Sequence, residues 1–182
     1  FYIAAHSTTA INIGIVQGAI PIFVMLGAFV AFKTTVTMVQ ILGVLITMVG
    51  VAIVTTHGSL ERLATLQFNP GDLIMLLACF FYASYTVALR KRPDVSGLSM
   101  FTVMAFAALL TSLPVVGYEM AIGEFFMPTA KGWLIILFVT IFPSCLAQIF
   151  FMRGVQLIGP GRAGMFANLV PIYAALFSVL LL

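Results

Sequence analysis

Six long apolar runs separated by short polar connections set the pattern of this chain. They extend roughly over Ile11 to Phe32, Val36 to Thr56, Gly71 to Leu89, Leu98 to Met120, Gly132 to Met152 and Ala163 to Leu182. Each approaches the roughly 20 residues that carry a helix across the hydrocarbon of a bilayer. None alternates apolar and polar residues with a period of two, which excludes a barrel strand. Only helices and closed barrels satisfy their own backbone groups in lipid. The pattern therefore predicts an all-α integral membrane protein, a multi-pass helical bundle of about six complete spans. The short connections make consecutive spans antiparallel neighbours. Phe1-Tyr-Ile-Ala-Ala5 reads as the end of a preceding helix and Val179 to Leu182 is still hydrophobic, so the expectation is a fragment of a longer protein.

Composition agrees with that placement. Of 182 residues, 63% are hydrophobic and 7% charged, too little polar surface to cover a soluble globule. The net charge of +3 is scattered, with no basic stripe and interleaved aromatics to hold nucleic acid. Lys and Arg alternate across the connections: Lys33, Arg90 to Arg92, and Arg153 with Arg162 fall on one side, Arg62 and Lys131 on the other. The positive-inside rule makes the Lys33, Arg90–Arg92 and Arg153–Arg162 loops cytoplasmic, in a cell (inner) membrane protein. Ile11 to Phe32 then runs inward and the last span outward. Cys79 and Cys145 lie inside apolar runs and read as packing residues. His6 and His57 have no ligand partners at useful spacing, so no metal or cofactor is expected.

The first run carries more punctuation than a lipid-facing helix needs, with Pro21 inside it and Gly14, Gln17 and Gly18 nearby. An interior proline removes a helical hydrogen bond, and lipid tolerates the gap only where a neighbour or a cavity repairs it. The last run repeats the arrangement. Gly164-Met-Phe-Ala-Asn-Leu-Val-Pro-Ile172 matches Gly14-Ile-Val-Gln-Gly-Ala-Ile-Pro-Ile22, with Gly, Pro and Ile at identical places. The charge-derived directions put the copies in inverted halves. Inverted, interrupted helices point to an alternating-access transporter with its substrate near the midplane; the alternative is that Pro21 and Pro171 are packing kinks.

Candidate substrate contacts follow from those breaks. Gln17 shares a face with Pro21, and Asn168 with Pro171. Each amide either meets substrate or glues helices together. Gly14 and Gly18 form a small-residue face suited to close packing. Tyr82 and Tyr85 lie three apart in mid-span, where each hydroxyl needs a partner or a wet cavity. Pro143 frees a carbonyl beside Ser144, with Gln148 four residues beyond on the same face. Arg162, within the loop Gly159-Pro-Gly-Arg-Ala-Gly164, is a contact for an anion or a lipid headgroup. Asn69 can cap the third span and Pro70 suits its first position, while Asp72 lies in the first turn, where its charge meets the helix dipole; the alternative is a proton-coupling role.

Longer stretches also resemble a known family. Thr35 to Val54 is similar to the end of an EamA repeat of the drug/metabolite transporter superfamily, Gly71 to Arg90 to the opening of a second repeat, and Gly161 to Leu176 to its fourth helix. The resemblance implies ten helices in two inverted five-helix repeats with both termini cytoplasmic. Here residues 1–58 would belong to the first repeat and 59–182 to the second, supplying helices four to nine. An acidic residue common after the family's first proline-bearing helix is replaced by Lys33-Thr34-Thr35.

These features favour a secondary transporter that exports small amino-acid-like or amphipathic metabolites, with the bilayer, the substrate and a coupling ion as partners. No titratable residue lies deep in a span to carry a proton. Oligomeric state is not indicated. A non-transporting scaffold would explain the kinks but not their inverted pairing. An intramembrane enzyme would need a base for Ser144, and neither Gly-x-Ser-x-Gly nor His-Glu-x-x-His occurs.

Overall fold

In the computed structural model, described over residues 2–123, 125–170, 172, 173, 176 and 177, the regular structure is helical throughout. The helices are α1 (Tyr2–Ala5), α2 (Ala10–Gly18), α3 (Ile20–Phe32), α4 (Met38–Thr55), α5 (Leu60–Ala64), α6 (Pro70–Ala88), α7 (Gly97–Ile122), α8 (Ala130–Val139), α9 (Ala147–Ile158) and α10 (Pro160–Met165). A π-helical stretch, Thr140–Leu146, joins α8 to α9, and a 3-10 turn, Phe166–Leu169, follows α10. Among the described residues five stretches are long and apolar enough to cross a membrane: Ala10–Phe32, Met38–Thr55, Pro70–Lys91, Gly97–Ile122 and Ala130–Ile158. They coincide with the first five apolar runs, and much of the sixth lies outside the described residues.

Side-chain caps explain where the spans begin. The Thr9 hydroxyl accepts from the Asn12 N–H at 3.2 Å. Thr37 and Gln40 bond reciprocally in a capping box, and Ser96 and Thr129 cap α7 and α8. The ends are left-handed turns, at Lys33 (φ 53°) and at Gly123 (φ 76°). One expectation is corrected here. The Arg153–Arg162 connection is not a loop, because α9 continues to Ile158 and α10 starts at Pro160. Gly159, at φ 83°, turns the chain alone, and Pro160 suits a first helical position because it has no N–H to leave unpaired.

The chain divides into two compact units, Phe1–Lys91 with Val155–Leu182, and Arg92–Gly154. In the first, Ile20, Val24 and Ala28 of α3 form a buried core with Met75, Cys79, Ala83 and Val87 of α6. Both sets recur every four residues, so one ridge of each helix faces the other. Because lipid is as apolar as these side chains, close packing rather than escape from water holds them together. The small residues allow it. A Cβ on Gly14 would stand 2.2 Å from the Thr55 methyl of α4, and one on Gly164 would stand 3.1 Å from Val24. Gly14 and Gly18 thus form the packing face expected of them.

In the second unit α7 contains Pro114, and the π stretch contains Pro143. A proline cannot donate to the carbonyl four residues back; at the end of this stretch the Ala147 N–H bonds the Phe142 carbonyl, five residues back. Large apolar side chains such as Phe106, Leu110, Leu134 and Phe138 are exposed, as lipid-facing side chains are.

Candidate functional site

The first span is cut in two at Ala19. The Ala19 N–H donates to the Val16 carbonyl at 3.1 Å, and the N–H groups of Ile22 and Phe23 both donate to the Ala19 carbonyl, at 3.0 and 3.3 Å. In an unbroken helix Ile22 would serve the Gly18 carbonyl. Pro21 is therefore not an interior proline as expected. It stands at the start of α3, fully buried, where it removes no bond that the new helix needs.

The displaced Gly18 carbonyl is taken by Asn168. Its side-chain amide donates to that carbonyl at 3.3 Å and to the Thr47 hydroxyl oxygen of α4 at 2.9 Å. Thr47 passes its own hydrogen to the Val44 carbonyl at 2.9 Å. Asn168 is buried, only 3% exposed, so this bridge works in a medium where an unmade bond is costly.

Beside the bridge lies a cavity of about 180 Å³ lined by Gln17, Gly18, Ile20, Tyr82, Ala167, Asn168 and Val170. The cavity gathers three of the expected contacts, Gln17, Tyr82 and Asn168, from distant parts of the chain. Tyr85 is absent from its lining and lies against the Tyr82 ring, with centroids 6.1 Å apart. Ser144 and Gln148 belong to the second unit, Ser144 exposed on the π stretch and Gln148 half-buried on α9. Pro171 lies outside the described residues.

Arg162 is in α10 and lines a second cavity of about 610 Å³ together with Arg90, Gln40, Thr34 and Thr35. No carboxylate is among its described lining residues. The Arg90 guanidinium rests over the Phe32 ring, 4.7 Å from the centroid, which fixes it at the rim.

The model of the EamA-like transporter family matches residues 69–182. The chain belongs to that family. The matched part contains Tyr82 and Asn168, while Gln17 and Thr47 precede it. Among curated relatives, an uncharacterized transporter of Bacillus subtilis, YyaM, is 29% identical over 98% of this chain and 59% of its own length. A second from that organism, YetK, is 23% identical over 96% of this chain and 53% of its own length. An uncharacterized transporter of Methanothermobacter thermautotrophicus is 23% identical over the whole chain and 52% of its own length. The chain thus spans between half and three-fifths of these relatives. No solved structure matches it.

One polar cluster of this EamA chain was not anticipated as a unit. Asp72, 2% exposed, accepts from the Asn69 N–H and from the Asn12 side-chain amide, both at 2.8 Å, and from the Thr8 hydroxyl. Asn12 also donates to the Gln67 carbonyl at 2.9 Å. Asn69 stands at the cap and Asp72 in the first turn, as expected of them. The tie to Thr8 and Asn12 was missed, although Asn12, a polar amide one residue into an apolar run, was the available signal.

Proposed function

We propose that the full-length protein is a secondary transporter working by alternating access, with its substrate held in the cavity at the Ala19 break. One observation carries this reading. Setting the two nine-residue motifs side by side, six of the seven lining residues fall into equivalent pairs: Gln17 with Ala167, Gly18 with Asn168, and Ile20 with Val170. A cavity shared by corresponding positions of two repeats is the arrangement that lets either side of a membrane reach it. The repeats would divide at residues 58 and 59, with the Arg90 and Arg162 ends cytoplasmic in an inner membrane.

The lining is uncharged, with an amide at Gln17, a phenol at Tyr82 and apolar walls, and it is small. It suits a small amphipathic or amino-acid-like metabolite, moved outward with a coupling ion. The wider cavity around Arg162 would meet anionic groups or lipid headgroups on the cytoplasmic face. The described residues that line the uncharged cavity include no nucleophile paired with a base, and the reading is transport rather than catalysis.

An efflux panel of metabolites, comparing cells with the intact full-length protein, cells without it and cells carrying Gln17→Ala, tests the proposal. At least one small metabolite should leave faster with the intact protein, and Gln17→Ala should alter its apparent affinity. If no metabolite distinguishes the first two strains, the transport reading fails.

A further inference from the structure

Asn168 makes two hydrogen bonds, and the repeat relation supplies a counterpart for neither. We infer that Asn168 and Thr47 are positioning residues of the transport cycle. Both bonds of the Asn168 amide, to the Gly18 carbonyl and to Thr47, hold the form seen here and have no counterpart in the exchanged form. This rests on the alternating-access reading above and adds to it the side chain whose bonds are made in one form only.

Gly18 and Asn168 are each the fifth residue of their nine-residue motif. They also touch, at 3.3 Å. A residue that contacts its own counterpart lies at the two-fold axis relating the repeats. When inverted repeats exchange conformations, every contact is replaced by the contact between the counterparts of its two members. The two residues stay neighbours, but the bond from the Asn168 side chain to the Gly18 carbonyl is replaced by one from a Gly18 side chain to the Asn168 carbonyl, which glycine cannot make. The Asn168 to Thr47 contact is replaced by one between Gly18 and the counterpart of Thr47. Gly18 has no side chain and cannot donate there. The two bonds of Asn168, of 3.3 and 2.9 Å, therefore weight the equilibrium toward the form seen here.

The geometry assigns each change a different consequence. Thr47→Val keeps the shape and removes the oxygen, leaving one Asn168 hydrogen unpaired in this form alone. One net hydrogen bond corresponds to about a five-fold change in an equilibrium. Thr47→Ser keeps the oxygen and should leave the balance unchanged. Asn168→Ala removes both bonds, so its shift should exceed that of Thr47→Val. Combining the two changes should add nothing to Asn168→Ala alone.

The test uses the full-length protein in oriented vesicles, with its other cysteines replaced and Ala167→Cys as a reporter in the cavity. A membrane-impermeant maleimide is applied from each side, and the ratio of the two labelling rates is read. That ratio does not depend on how much protein inserts. The expected result is labelling from both sides, a ratio changed about five-fold by Thr47→Val, and recovery in Thr47→Ser. A Thr47→Val ratio equal to that of the parent, or an equal shift in Thr47→Ser, would overturn the assignment while leaving alternating access standing. Labelling from one side only in every variant would overturn both.

Discussion

At Pro21 the span is cut, and at Pro143 it is widened. The first break ends α2 at Gly18, restarts the helix at Ile20, and hands the Gly18 carbonyl to an amide 150 residues away. The second keeps one continuous helical path through a seven-residue π stretch, closed at the Phe142 carbonyl by Ala147. A proline in a long span is thus accommodated once by a restarted helix tied to a remote neighbour and once by the helix's own backbone. A break that borrows a donor ties two remote segments together and leaves space beside the tie. A widened turn asks nothing of the rest of the chain.

The largest effect is expected where the borrowed donor is removed. Asn168→Leu leaves the Gly18 carbonyl without its side-chain partner in a buried site, a cost of about 1–3 kcal/mol, and efflux per inserted molecule should fall at least about tenfold. Pro21→Ala comes next. It restores an N–H able to reach the Gln17 carbonyl and lets the span straighten, so efflux should drop severalfold while membrane insertion, followed by extraction and protease protection, holds. Gly14→Ala tests the wall behind the cut through the 2.2 Å approach to the Thr55 methyl. It should lower the thermal midpoint in detergent by an amount equivalent to about 1–3 kcal/mol. Thr55→Ser, which lacks that methyl, should recover most of the loss. Pro143→Ala should matter least, since an ordinary helix can replace the π stretch. Efflux within about twofold of the parent is expected; a loss equal to that of Pro21→Ala would erase the distinction drawn here between the two prolines.

Spans were readable because lipid demands length and apolarity, and both are local. The helix start at Asn69, Pro70 and Asp72 was readable for the same reason. Gln17, Tyr82 and Asn168 were named from local signals, a polar side chain in an apolar run and a proline nearby, and they meet in one cavity. Their partners could not be read that way. Thr47 looks like any hydroxyl that bonds its own helix, and only the tertiary fold brings Asn168 to it across 121 residues. The position of Pro21 at a helix start also escaped, because a proline in a long apolar run looks the same whether the helix bends there or restarts. Ser144 and Gln148 share the polar signal but fall in the other unit.

The Asp72 cluster bears on how such a chain is made. A carboxylate entering a membrane during synthesis is a hazard until donors surround it. Thr8 and Asn12 precede Asp72 by 64 and 60 residues, so they leave the ribosome well before it. The donors reach the bilayer ahead of the charge they serve. The order of residues along the chain is then also an order of assembly, in which the earlier span acts as the chaperone of the later one.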